Sequence, residues 1–541
     1  MIKFDDVKLP LGVLVMSGLF GCSTAEEVIA QEYEEPSIDM EVVEQIKKEG
    51  IENSNVMDYA GWLTDVYGPR LTNSEQMRRA NHYTKEVFEE LGLENVHLHE
   101  WGPFGRGWDL DRFAMHAYTE HTYFPVTAFP KAWSPGYDEP VRGEVIYLSP
   151  DDEETYREYE GQLGDKFVMV QEPADPQFHF DPLTSRFDDS QLLNLANAGP
   201  DRMPEEGTGG TRSQDDSQYR FAKFLQEEEP LAVLDQSYRG KFGQIAISGA
   251  SLPSDPELGW MDRPRPHQPD AEDPVPQVSL TQDHYGRLFR LIEKGVEVEL
   301  EMELEARYQT DDLMGYNTVA EIPGTDPEVG DEIVLIGAHL DSWHSGTGAT
   351  DNAAGSAVMM EVMRILSETG IEPRRTIRIA LWDGEEQGLH GSREYVQEFV
   401  ADQNEDGIVP LEEYEKLSAY YNHDNGTGQI RGINLQENEQ LRDYFRTWFQ
   451  PFHDWDAATV SYRNTGATDH VPFDAVGIPG FQFIQDPIEY FTKTHHSNMD
   501  VFERLKKKDL KRNSVMIASI VYHTAQLDHL LPRKNDVELA D

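Results

Sequence analysis

Five short polar stretches in the C-terminal half hold the residues best suited to chemistry. A hydrophobic run delivers His339 and, two residues on, Asp341. On an extended chain those side chains project to one side, so the carboxylate can accept from one ring nitrogen while the other stays free for a metal. Thr350-Asp351-Asn352 opens a segment of helical apolar spacing; an Asp there is a helix cap or a ligand. Trp382-Asp383-Gly384 runs into Glu385-Glu386, adjacent carboxylates whose repulsion calls for a cation between them or a proton on one. Asn422-His423-Asp424 follows another apolar run, and His495-His496 lie in a polar loop with Asp500 beyond. Singly these read as a solvated loop histidine, a cap or a charged turn. Together they are a set of imidazole and carboxylate ligands. The chain has 1 cysteine, Cys22, so it can form neither an intramolecular disulfide nor a thiolate metal site.

The elements that carry these stretches alternate. From about 315, EIVLIGAHLDS, AGSAVMMEVMRILSETG, TIRIALWDG, LHGSREYVQEFV and LSAYYNHDN read as strand, helix, strand, helix, strand. Buried strands alternating with amphipathic helices predict an α/β fold, a mixed sheet flanked by helices on both faces, with its site at the carboxyl ends of the strands. Segments 41–49, 57–66 and 74–91 have helical spacing. Between them and the alternating part lie short β-like runs, GEVIYLS, DKFVMVQ and GQIAISG, which predict an inserted β-rich domain. The expected organisation is 41–135 and 306–541 as one domain, interrupted by 136–305.

The N-terminus reads as an address. Leu9–Gly21 is a run of thirteen uncharged, mostly apolar residues after Lys3 and Lys8, too short for a membrane span and right for a signal peptide over 1–21. Leu19-Phe20-Gly21-Cys22 resembles a bacterial lipoprotein signal, which makes Cys22 a lipid anchor and 22–40 an acidic tether. Asp5, Asp6 and the bulky Phe20 leave an ordinary secretory signal open. The expectation is an exported protein, a cell-envelope lipoprotein (periplasmic or outer membrane) or a secreted one. Of 541 residues, 100 are Asp or Glu against 46 Lys or Arg, a net charge of −54. Such a surface repels phosphate backbones and excludes a nucleic-acid partner; it suits a saline habitat, where screening weakens self-repulsion.

In order, spacing and context the motifs resemble the co-catalytic dizinc aminopeptidases, in their carboxypeptidase Q (plasma glutamate carboxypeptidase) branch. Tyr67-Gly68-Pro69-Arg70 fits as well, and the insertion resembles a protease-associated domain. The resemblance implies that His339, Glu386, Asp424 and His496 each bind one metal and that Asp351 bridges both. It makes Asp341 the partner of His339 and Glu385 the general base, and sets Asp469 and His470 beside the substrate pocket. His496 is preferred to His495 because the family places an Asp four residues past its ligand, as Asp500 is. A cis peptide is expected after Asp351. The implied cofactors are two zinc ions, with cobalt or manganese as substitutes. The implied reaction is hydrolysis of a terminal peptide bond, by a metal-bridged water that Glu385 activates, on a peptide with a free terminus; aminopeptidase, carboxypeptidase and dipeptidase action stay open, as does a homodimer.

A second metal motif lies at Asp402, Asn404, Asp406 and Glu413, which fit the twelve-position calcium loop of an EF-hand between helical segments. Pro410 within it and the absence of a paired second hand weigh against that; if formed, it holds one structural calcium. The competing functions are a metal-free receptor-like protein on the same scaffold and a calcium-dependent surface binding protein. A complete ligand set with Glu385 beside it favours the enzyme.

Overall fold

The computed structural model describes residues 36–534, apart from 176–177, 179, 200–215, 241, 260–261 and 405–406, together with residue 539. Cys22 and the apolar stretch before it lie outside the described residues.

Eight strands form the larger sheet: β1 (Glu94–Trp101), β2 (Gly315–Ile322), β3 (Ile333–His339), β4 (Thr376–Trp382), β5 (Leu417–Asn422), β6 (Ile430–Asn434), β7 (Thr459–Ser461) and β8 (Gly480–Gln485). Their order across the sheet is β1-β2-β4-β3-β5-β8-β6-β7. The central four, β4, β3, β5 and β8, run parallel; β1 and β2 pair antiparallel to their neighbours, and β6 pairs antiparallel with β8 and parallel with β7. This is the expected mixed sheet. All seven residues of β3 are buried, as a strand covered on both faces requires.

Helices α1 (Met40–Glu52), α2 (Glu75–Glu90), α3 (Ala354–Glu368), α4 (His390–Tyr395) and α5 (Lys507–Gln526) bear on the site or its support. The Asp39 carboxylate caps α1 by accepting from the N–H groups of Glu41 and Val42, at 3.0 and 3.1 Å. Residues 354–366 of α3 are buried all round, and α1 and α5 join it in the main apolar core. Each of its Val, Leu, Ile and Met side chains contributes about 1.5–3 kcal/mol of hydrophobic stabilisation. Inside that core Arg364 bonds both Glu361 (2.8 Å) and Glu49 (2.6 Å), so its charge is compensated.

A second eight-stranded sheet lies between Gly107 and Gln309 with an apolar core of its own. It begins earlier than the expected boundary at 136 and ends later than 305. The reason is the pairing of Gly107–Tyr118 with Glu299–Gln309, which unites two segments remote in sequence and invisible to local periodicity. GEVIYLS overlaps the strand Val141–Tyr147, and DKFVMVQ contains the strand Lys166–Met169. GQIAISG is not a strand of this sheet. It makes isolated bridges, Ala246 to Ser497 and Gly249 to Ala132, and so ties the insertion to the loop carrying His495 and His496.

Candidate metal centre

The parallel strands of the larger sheet end together, and the polar stretches follow from those ends. In register, His339 stands beside Trp382, and Gly337 beside Asn422. His339, the Asp383–Glu386 turn and Asp424 therefore converge. The fourth contributor, Asp351, comes from the turn into α3. The Ser356 hydroxyl of α3 donates to the His339 carbonyl at 2.7 Å, and the Asn352 amide donates to the His423 carbonyl at 3.0 Å, binding that turn to both strand ends. The Asp351–Asn352 peptide is cis, as expected.

Asp351 stands between two groups of donors. One carboxylate oxygen lies 3.4 Å from His339 Nε2, which is itself 3.6 Å from an Asp424 oxygen. The other oxygen lies 3.4 Å from His496 Nε2, which is 3.0 Å from Glu386. His495 Nε2 is farther from that same oxygen, at 3.9 Å, and its Nδ1 is engaged by Arg239 at 2.9 Å. His496 is the nearer of the pair and the one that also reaches Glu386.

His339 Nε2, Asp351 Oδ2 and Glu386 Oε1 are buried without a hydrogen-bond partner. Buried polar atoms are rarely left so unless something else binds them. Three triads, His339-Asp351-Glu386, Asp351-His495-His496 and His339-Glu385-Asp424, bring their donor atoms within 4.8 Å of one another. Imidazole and carboxylate donors without thiolate fit zinc, and the concentration of buried negative charge fits a cation.

The electrostatics agree. Burial, then the neighbouring carboxylates, pushes Glu385 and Glu386 well above the usual carboxyl range. Asp351 goes the other way, because His339, His495 and His496 outweigh its burial. Asp500 is pushed up to about 7 by burial and by Asp351. Its carboxylate accepts from the N–H and hydroxyl of Thr350, each at 2.7 Å, and from the Asp351 N–H at 3.0 Å, which fixes the turn carrying Asp351.

Asp341 is a positioning residue. Its carboxylate lies 3.5 Å from His339 Nδ1 and accepts from Thr72 at 2.9 Å and from the N–H groups of Glu385 and Glu386, each at 3.2 Å. One side chain thus orients both the histidine and the double-glutamate turn.

A cavity of about 680 Å³ opens onto Asp351, Glu385, Glu386, Asp424, His495 and His496, and residues 248–252, 254 and 263–267 also line it. Asp469 and His470 do not line it, contrary to expectation, and both are wholly buried. Asp469 lies behind the site, accepts from Ser392 at 2.6 Å and is pushed up to about 7 by burial; His470 turns away to Thr465, at 3.0 Å from its carbonyl. His344 and His390 belong to neither donor group: one bonds the Pro130 carbonyl at 2.7 Å and the other stacks on Trp101.

The expected calcium loop is a correction. Ala401–Asn404 and Gly407–Pro410 pair as an antiparallel hairpin, Asp402 opposite Val409 and Asn404 opposite Gly407, instead of coiling between two helices. Glu413 is drawn away to Arg378 (2.7 Å) and the Tyr395 hydroxyl (3.0 Å). Asp406 lies outside the described residues.

Arg263, Arg265 and Arg393 also line the cavity, and Arg239 bonds His495, with no motif in the sequence to mark them. The Arg-Pro-Arg-Pro run at 263–266 was the only local signal, and nothing in it pointed to the site.

Fold and donor set define a mixed α/β architecture with a candidate metal centre and an inserted β-rich part. Residues 317–521 match the model of peptidase family M28. Carboxypeptidase Q of Mus musculus is 28% identical over 263 residues, 48% of this chain and 52% of that protein; the chain thus spans about half the length of the curated relatives it matches. The peptidase M28 precursor of Shewanella amazonensis superposes with a TM-score of 0.62 at 22% identity, covering 92% of this chain and 99% of that one. The zinc aminopeptidase of Bacillus subtilis does so with a TM-score of 0.52 at 17% identity, over 90% and 97% of the two chains. At those identities the structures share the fold with this chain.

Proposed function

We propose that the protein is a zinc-dependent exopeptidase that hydrolyses a terminal bond of a peptide with a free end. The observation that carries the reading is Asp351, with one oxygen toward His339 and Asp424 and the other toward Glu386 and His496. Two zinc ions would be held by those groups with Asp351 shared. When bound, such ions polarise the substrate carbonyl and make water a stronger nucleophile near neutral pH. Glu385 faces the cavity and its burial raises its proton affinity; it takes the proton from the attacking water and returns it to the leaving amine. Asp341 keeps Glu385 in place through its N–H.

The insertion serves in this reading as a protease-associated domain. The N-terminal apolar stretch supports export with lipid attachment at Cys22. Among the described residues no helix is long and apolar enough to cross a membrane. A Cys22→Ser protein should leave the membrane fraction; retention there defeats the anchor.

The decisive test is Glu385→Gln. It should keep about two zinc per chain by elemental analysis while peptide turnover falls by about three orders of magnitude or more. Full activity in that variant refutes the proposal.

A further inference from the structure

The cavity that the site carboxylates line also carries three arginines. Arg263 and Arg265 line it from the insertion and Arg393 lines it from α4, in a chain of net charge −54. Most arginines of the molecule sit against a carboxylate, as Arg78 does on Asp312 and Arg378 on Glu321 and Glu413. No ion pair joins Arg263 or Arg393 to a carboxylate of the described residues, and the Arg263 Nε is buried without a hydrogen-bond partner. A partly buried guanidinium is costly unless an anion meets it.

The loop carrying two of them is held rigidly. Arg263 and Arg265 each precede a proline, which restricts both to extended backbone. From behind, the Arg106 N–H donates to the His267 carbonyl at 2.6 Å, and its guanidinium donates to the Pro266 carbonyl at 2.6 Å and the Asp273 carboxylate at 2.7 Å. The His267 ring stacks on Phe104 with centroids 4.5 Å apart. Gly105 approaches so closely that a Cβ there would lie 2.0 Å from the His267 oxygen. A planar fork of donors on a fixed loop suits bidentate recognition of a carboxylate.

We propose that Arg263 and Arg265, with Arg393 lining the same cavity, form a specificity subsite for a carboxylate of the substrate. That carboxylate is the C-terminal one or an acidic side chain beside the cut bond. The inference rests on the exopeptidase reading and adds the substrate class to it.

The test compares kcat/KM of the zinc-loaded enzyme for two matched pairs: Ala-Ala against Ala-Ala-amide, and Ala-Glu-amide against Ala-Gln-amide. In Arg263→Gln/Arg265→Gln the acid-to-amide ratio should fall about ten- to a hundredfold in at least one pair, mainly through KM. The responding pair names the source of the carboxylate. Arg263→Lys/Arg265→Lys should recover part of the ratio. An unchanged ratio in both pairs overturns the subsite. If the wild-type enzyme cleaves none of the four peptides, the exopeptidase reading is what fails, and calorimetry with glutarate then judges the subsite by itself. Binding about tenfold weaker in the Gln variant supports it, and equal or absent binding in both proteins overturns it.

Discussion

Asp341 shows how much one side chain can organise. It is wholly buried, and it meets His339, Thr72 and the N–H groups of Glu385 and Glu386 at once. An amide in its place presents one acceptor oxygen instead of two and carries no charge to polarise the histidine. Asp341→Asn should weaken zinc binding about ten- to a hundredfold, read by competition with a chromophoric chelator. Affinity equal to wild type would remove Asp341 from the support of the site. This role was legible locally, since the spacing of His339 and Asp341 places both on one side of an extended chain. Asp469 shows the limit of such reading. Its motif brought it near the pocket, yet the fold sets it behind the cavity wall against Ser392.

At the scale of elements, the site depends on how closely α3 meets β5. Gly355 lies in the first turn of α3, and a Cβ there would sit 2.2 Å from the His423 carbonyl oxygen and 2.3 Å from the Asn352 side-chain oxygen. Neither neighbour has room to move, because the Asn352 side chain also accepts from the Gly355 N–H and donates to the His423 carbonyl, each at 3.0 Å. Gly355→Ala should cost about 1–3 kcal/mol in denaturant unfolding. Because the displaced residues flank Asp351 and Asp424, zinc uptake should weaken as well. An alanine protein with wild-type stability and metal content would show that α3 can shift without disturbing the site. The strands and helices of this half were legible in the sequence because burial on both faces gives apolar runs of strand length, and α3 gives a helical one. The hairpin at 401–410 was not, because a ligand-like spacing of acids says nothing about which backbone conformation carries them.

The whole molecule carries its charge as a surface property. Of the 100 acidic residues, the few at the site account for almost nothing of the −54, so the excess repels across the surface. Raising NaCl from 0.1 to 1 M shortens the screening length from about 10 to about 3 Å, and Tm should rise; a Tm that falls or stays level would show that repulsion does not limit stability. Acid acts through buried histidines. Burial depresses His267 to about 3 and His344 and His470 to about 4, against an ordinary 6.5. Between pH 6.5 and 4 the unfolded chain binds protons that these rings refuse when folded, so stability is retained above that window and lost on descending through it. Each ring contributes a slope of about 1.4 kcal/mol per pH unit there. Thermal melts across the window, with a His344→Gln protein whose slope should be shallower by one ring's share, check this.

The sequence alone determined the fold class and the candidate polar stretches with their order along the chain, because each is written in local pattern: apolar period, strand-end polar residues and residue spacing. Tertiary structure decided what depends on residues remote in sequence. It set the start of the second sheet through the pairing of Gly107–Tyr118 with Glu299–Gln309, turned Asp351 to face two donor groups, and brought Arg263 and Arg265 into one cavity with Asp351, Glu385 and Asp424. The segment at 245–247 pairs with the His496 loop, its Ile247 N–H donating to the His496 carbonyl at 2.8 Å. The insertion therefore helps to hold the metal-site loop itself. Local periodicity cannot report such a contact, because it reflects only the neighbours a residue meets along its own strand or helix.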